Sequence, residues 1–139
     1  MRMWNLNPKV LCQKHLLGEH NEIHKAVGNL NHSGKWAKAL IQKGFLEPQN
    51  FIKRHDELVK EMLRRGYKHN SPLEFNNSEN LKGCVDVEKS LKDLLSRCQE
   101  CKKRYYQKKM NKKSRIGNVK LLILFLILVI LFLIWRILK

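Results

Sequence analysis

Residues 11–30 read LCQKHLLGEHNEIHKAVGNL. Leu16, Ile23, Val27 and Leu30 recur on one stripe at about 100° per residue, the signature of a helix with one buried side. Asn7-Pro8 upstream fits an N-cap followed by proline at the first helical position. Gly28 and Asn29 weaken the far end, and residues 31–34 (Asn-His-Ser-Gly) form a turn cluster. Beyond it, residues 35–43 predict a short helix with Trp36, Leu40 and Ile41 facing inward and Gly44 as its stop. Pro48 opens the clearest helix, in which Phe51, Ile52, His55, Leu58, Val59, Met62 and Leu63 recur at spacings of three and four. Arg64-Arg65-Gly66 closes it. Residues 67–83 read as a loop. A fourth helix begins near Asp86, with Val87, Leu91, Leu94, Leu95, Cys98 and Cys101 along one face, and runs on toward Tyr105-Tyr106. No segment alternates polar and apolar residues as a strand does. The predicted fold class is all-α: a compact bundle of three to four helices followed by one C-terminal transmembrane helix.

The length of 139 residues excludes a multidomain enzyme or a multi-span transporter. The formal charge is +16, but it is unevenly placed. Residues 1–101 carry 17 of the basic residues and all 12 acidic ones, whereas residues 102–118 carry eight basic residues and no acid. Residues 121–135 are apolar without interruption. A basic block beside an apolar tail fits anionic headgroups and an N-terminal domain held on the cytosolic side. The expected division is a helical domain over 1–104, a basic juxtamembrane linker over 105–118 and a transmembrane helix over 119–138, giving a single-pass, tail-anchored monomer with its N-terminal domain in the cytosol.

Chemistry-bearing motifs are few. No Gly-rich loop of Walker spacing precedes Lys35. His20 and His24 stand four apart, but the glutamate between them is misplaced for a zinc-protease helix, and the pair reads as two exposed histidines. Cys98-Gln-Glu-Cys101 is a lone CxxC, read as two small core-facing residues, because a structural zinc site needs four ligands. No metal ligand and no cofactor is assigned. The less ordinary feature lies on the first helix. His15, Glu19 and Glu22 fall within about 60° of one another and border the apolar stripe. A carboxylate at the edge of a core is partly desolvated, which raises its pKa and suits it to proton transfer.

The same residues carry a resemblance. Arg2-Met-Trp-Asn-Leu6 followed by the stretch from His15 to His24 resembles the start of the bacteriophage endonuclease V family, the pyrimidine dimer DNA glycosylases. The stretch from Arg54 to Tyr67, followed by His69 and Ser71-Pro72-Leu73, is similar to the shorter cellular branch of that family. The likeness extends to about residue 104. It implies a DNA glycosylase with coupled abasic-site lyase activity, working on double-stranded DNA with damaged or abasic sites and without a cofactor. The implied nucleophile is the α-amine of Met1, which forms a Schiff base at C1′ of the damaged nucleotide. Glu22 matches the catalytic carboxylate, and His15 and Glu19 match supporting positions. Arg2 and Lys25 match phosphate contacts, and Arg64, Arg65 and His69, with Arg54 and Lys68, are further DNA-facing residues. The alternative function is a non-catalytic, membrane-anchored basic helical protein that binds nucleic acid or anionic lipid.

Overall fold

The computed structural model describes residues 2–76 and 79–138; within the last helix, the side chains of 113–118, 120–122, 124, 129, 131–134 and 137 fall outside the description. Five α-helices follow in order: α1 (Gln13–Leu30), α2 (Lys35–Gln42), α3 (Phe51–Arg64), α4 (Val87–Arg97) and α5 (Gln99–Ile137). Two short 3-10 turns, Pro8–Val10 and Pro48–Asn50, precede α1 and α3. No strand occurs among the described residues. The chain divides into two units, residues 1–104 and 105–139.

Local sequence explains most helix ends. The Asn7 side chain accepts the Lys9 N–H, so the Asn-Pro pair caps the 3-10 turn and not α1 itself. The chain then extends through Leu11 and Cys12, and α1 begins at Gln13. Gly44 and Gly66 both adopt positive φ, +68° and +80°, immediately past α2 and α3. In each case the next residue donates back into the last turn, Phe45 to Leu40 and Tyr67 to Met62. This is the Schellman arrangement, which satisfies carbonyls the helix leaves open. Asp86 caps α4 by accepting the Lys89 N–H.

The core of the first unit lies where α1 meets α2 and α3. Leu16, Ile23, Ala26 and Val27 of α1 are buried with Phe51, Leu58 and Met62 of α3. Leu94 of α4 and Cys101 at the start of α5 complete it. Trp36, Ile52, Leu63 and Val87, expected inside, are exposed: the first three sit at the edge of their helix's apolar face, and Val87 is the first residue of α4. The residues before α1 also belong to the core. Met3 is fully buried and its N–H donates to the Phe45 carbonyl at 2.8 Å.

The predicted C-terminal transmembrane helix over 119–138 is corrected by the structure. Among the described residues no helix is long and apolar enough to cross a membrane. The physical reason is length: α5 runs continuously from the basic block into the apolar tail. The uninterrupted apolar run of fifteen residues gives about 22 Å of helix against a hydrocarbon core of ~30 Å. The longer span was reached only by counting Lys120 and Arg136. The tail-anchored, single-pass localisation and the membrane as a partner lose their basis with it.

Candidate functional site

The first residues of the chain are pinned from two sides. Trp4 N–H and Asn5 N–H both donate to Glu19 Oε1, at 2.9 and 3.3 Å. Arg54 of α3 meets the same carboxylate with Nε on Oε1 (2.9 Å) and Nη2 on Oε2 (2.8 Å). Glu19 and Arg54 are both buried. Burial acts against the Arg54 charge, and Glu19 outweighs it, holding the guanidinium above its ordinary pKa. Glu19 thus accepts four hydrogen bonds, three on Oε1 and one on Oε2, and its carboxylate is a clamp for the chain's start. Arg2 is the second clamp. Its Nη1 donates to Asp93 and its Nη2 to the Ser90 hydroxyl, each at 2.8 Å. The guanidinium lies 5.0 and 5.1 Å from the ring centroids of Trp4 and Phe45.

Glu22 stands one turn further along α1 and contrasts with Glu19. It is half-buried, and its Oε2 is buried without a hydrogen-bond partner among the described residues. Burial pushes its carboxyl above the usual carboxylate range, while the positive charges of the chain's amino terminus and of Lys25 act in the opposite direction. Met1 itself lies outside the described residues. Lys25 is exposed.

The remaining predicted residues scatter. Arg64 is exposed and bonded bidentately to Glu61, at 2.6 and 2.7 Å. Arg65 is largely enclosed, donating to Glu61 and to the carbonyls of Pro8 and Leu11, so it ties α3 to the segment before α1. A groove of about 550 Å³ runs between that segment and α3, lined by Asn5, Pro8, Lys9, Arg54, Lys60 and Arg64 among others. Glu22 does not line it. His15 points away from Glu22's chemistry: its Nδ1 lies 3.1 Å from Cys12 Sγ and 3.5 Å from Cys101 Sγ. His69 Nε2 lies 3.0 Å from His20 Nε2.

Two side-chain clusters were not anticipated. Cys12, His15, Cys98 and Cys101 bring one donor atom each to within 4.8 Å of the others, as do His20, His24, His55 and His69. Cys98 is not helical; it sits in extended conformation in the break between α4 and α5, which lets the CxxC fold around a point. His20 is buried and His24 half-buried, in place of the exposed pair expected. The signal was available. His20 falls on the same stripe as Leu16, Ile23 and Val27, and Cys12-x-x-His15 is a second half-site of the same spacing as the CxxC.

Comparison with known proteins sets these residues in a family. The model described as pyrimidine dimer DNA glycosylase matches residues 1–75, more than half of the chain. The chain belongs to the pyrimidine dimer DNA glycosylase family, whose name identifies damaged DNA as its target. The match is shorter than the expected likeness to residue 104 and leaves out Cys98 and Cys101. No curated protein and no solved structure matches the chain.

Proposed function

We propose that the chain is a DNA glycosylase with coupled abasic-site lyase activity, using the α-amine of Met1 as nucleophile and Glu22 for proton transfer. An α-amino group has a pKa of ~8, so a useful fraction is neutral near pH 7. The neutral amine attacks C1′ of the damaged nucleotide and the base departs with a proton; the sugar ring then opens as the C1′–O4′ bond breaks, the nitrogen's proton passes to O4′ as a hydroxyl, and an imine joins C1′ to the chain. Loss of a C2′ proton from that imine then expels the 3′ phosphate oxygen and cuts the strand. Both proton movements need a carboxylate that is neither paired nor fully hydrated.

The observation that carries this reading is the state of Glu22. It is the carboxylate on α1 with a buried oxygen that has no partner among the described residues, and the positive charge of the amino terminus acts on its titration. Glu19, three residues away, has no such freedom. Its work with Arg54, and that of Arg2 with Ser90 and Asp93, is to hold residues 2–5 in place, so that the chain's first amine is presented without a long ordering cost. Lys25 and Arg64, exposed, supply phosphate contacts. Access to C1′ of a damaged nucleotide requires the duplex to be opened and the nucleotide displaced from its stack.

The test is strand cleavage of a duplex holding one abasic site or one pyrimidine dimer, by the full chain and by Glu22→Gln. Cleavage by the parent and its loss in the variant, with DNA binding retained, support the proposal. Binding without cleavage by the parent chain, its amino terminus verified free by intact mass, overturns it.

A further inference from the structure

We propose that Cys12, His15, Cys98 and Cys101 bind one zinc ion, and that this ion fastens the start of α1 to the break between α4 and α5. The donor set is the Cys₃His combination of closed structural zinc sites, supplied as two pairs each separated by two residues. The distances fit the ion. A tetrahedral zinc with Zn–S of ~2.3 Å and Zn–N of ~2.0 Å puts two sulfurs ~3.8 Å apart and a sulfur and nitrogen ~3.5 Å apart. Cys12 Sγ and Cys98 Sγ lie 3.8 Å apart. His15 Nδ1 is 3.1 Å from Cys12 Sγ and 3.5 Å from Cys101 Sγ.

Backbone N–H groups face two of the sulfurs. Cys12 N–H donates to Cys101 Sγ at 3.1 Å and Cys101 N–H to Cys98 Sγ at 3.5 Å. Such N–H to sulfur bonds are the outer support that spreads the negative charge of metal-bound thiolates. Cys12 and Cys101 are buried, and all the cysteines are free thiols. Four protein ligands leave no open position, so the ion is structural. Cys12 and His15 lie within the family match, whereas Cys98 and Cys101 lie beyond it, so half of the donor set comes from outside the matched segment.

The full chain, refolded with Co²⁺, is expected to show sulfur-to-cobalt charge transfer and the visible bands of a tetrahedral site; their absence overturns the proposal. In native protein, a mercurial that titrates thiols should release one zinc equivalent per chain. Cys84→Ser, which removes an exposed thiol outside the cluster, should leave that zinc in place, and Cys98→Ser should lose it. Thiol-releasable zinc that persists in both Cys98→Ser and Cys101→Ser contradicts the assignment.

A separate observation carries a second centre. His55 Nε2 and His24 Nε2 are buried with no hydrogen-bond partner among the described residues. His55 Nδ1 meets Asp56 Oδ1 at 3.1 Å, which fixes the proton on Nδ1 and leaves Nε2 an acceptor with nothing donating to it. His20 and His69 complete the group, with ring centroids 4.7–5.2 Å apart in five of the six pairs. Four imidazoles suit a divalent transition metal, and we infer that His20, His24, His55 and His69 hold one. Zinc titrated into metal-free full chain should bind at two equivalents, falling to one in His24→Ala/His69→Ala with the sulfur-to-cobalt band unchanged. A histidine variant that keeps the parent stoichiometry overturns this second site.

Discussion

The seam between α1 and α3 and the Glu22 end of α1 treat carboxylates in opposite ways. Along the seam every buried carboxylate has an arginine: Glu19 takes Arg54, and Glu61 takes Arg64 and Arg65. At Glu22 no arginine arrives among the described residues, burial raises the carboxyl's pKa, and one oxygen has no hydrogen-bond partner among them. Two glutamates three residues apart on one helix therefore stand in different surroundings. Glu19 is clamped by Arg54 and two backbone N–H groups, and Glu22 is the one to which the proposed function gives proton transfer. The difference is made by α3, which reaches Glu19 through Arg54.

The largest expected effect comes from breaking the contrast at Glu22. Glu22→Gln should lower strand cleavage by about 10²–10⁴-fold, the usual range for a positioned acid or base. Its thermal midpoint should stay near that of the parent, because no hydrogen bond to Oε2 is lost. Equal loss of fold and activity would place Glu22 with the structural carboxylates. Breaking the other side comes next. Arg54→Met leaves Glu19 buried and uncompensated, and should cost about 3–5 kcal/mol in chemical denaturation. Glu19→Gln with Arg54→Met together should recover part of that loss; no recovery would show that the two act separately.

A pH scan sharpens the comparison. The side-chain bonds from Arg64, and those from Arg65 against the opposing effect of burial, hold Glu61 down to a pKa of about 2. Its contribution to stability is present above the ordinary value of 4.5 and is lost as pH falls from there toward about 2. Glu22 has the opposite sign. Its raised carboxyl pKa favours the folded state at low pH, and that contribution declines as pH rises from 4.5 through the folded value. Glu61→Gln should flatten the acid limb of the melting curve, whereas Glu22→Gln should leave it in place. The smallest effect is at the surface. Arg64→Ala should weaken DNA binding modestly and reduce its salt dependence by about one counterion, if Arg64 can exchange Glu61 for a phosphate.

How much of this was legible in the sequence varies by residue. Leu16, Ile23 and Val27 gave α1 its buried side, and Gly44 and Gly66 gave two helix ends, because a C′ glycine in the left-handed region leaves a local mark. Trp36 and Val87 are exposed where burial was expected, because helical period locates a stripe better than its edges or its ends: Trp36 lies at an edge and Val87 is the first residue of α4. His20 was read as exposed although it shares the stripe with Leu16 and Ile23; residue type outweighed position. The Glu19–Arg54 pair was invisible, since 35 positions separate the partners and no local pattern joins them. Cys12 and Cys98 stand 86 positions apart, which hid the cysteine cluster in the same way. The apolar tail was over-read, because composition alone set its length as a membrane span.

The central claim is that the first amine of this chain, served by Glu22, does covalent chemistry on DNA. Borohydride reduction during reaction with an abasic-site duplex, followed by mass mapping of the adduct, tests it most directly. The account predicts a reduced sugar–DNA adduct on the Met1 peptide, and much less of it in Glu22→Gln. An adduct confined to lysine side chains, or none from a chain with a free amino terminus, would contradict it.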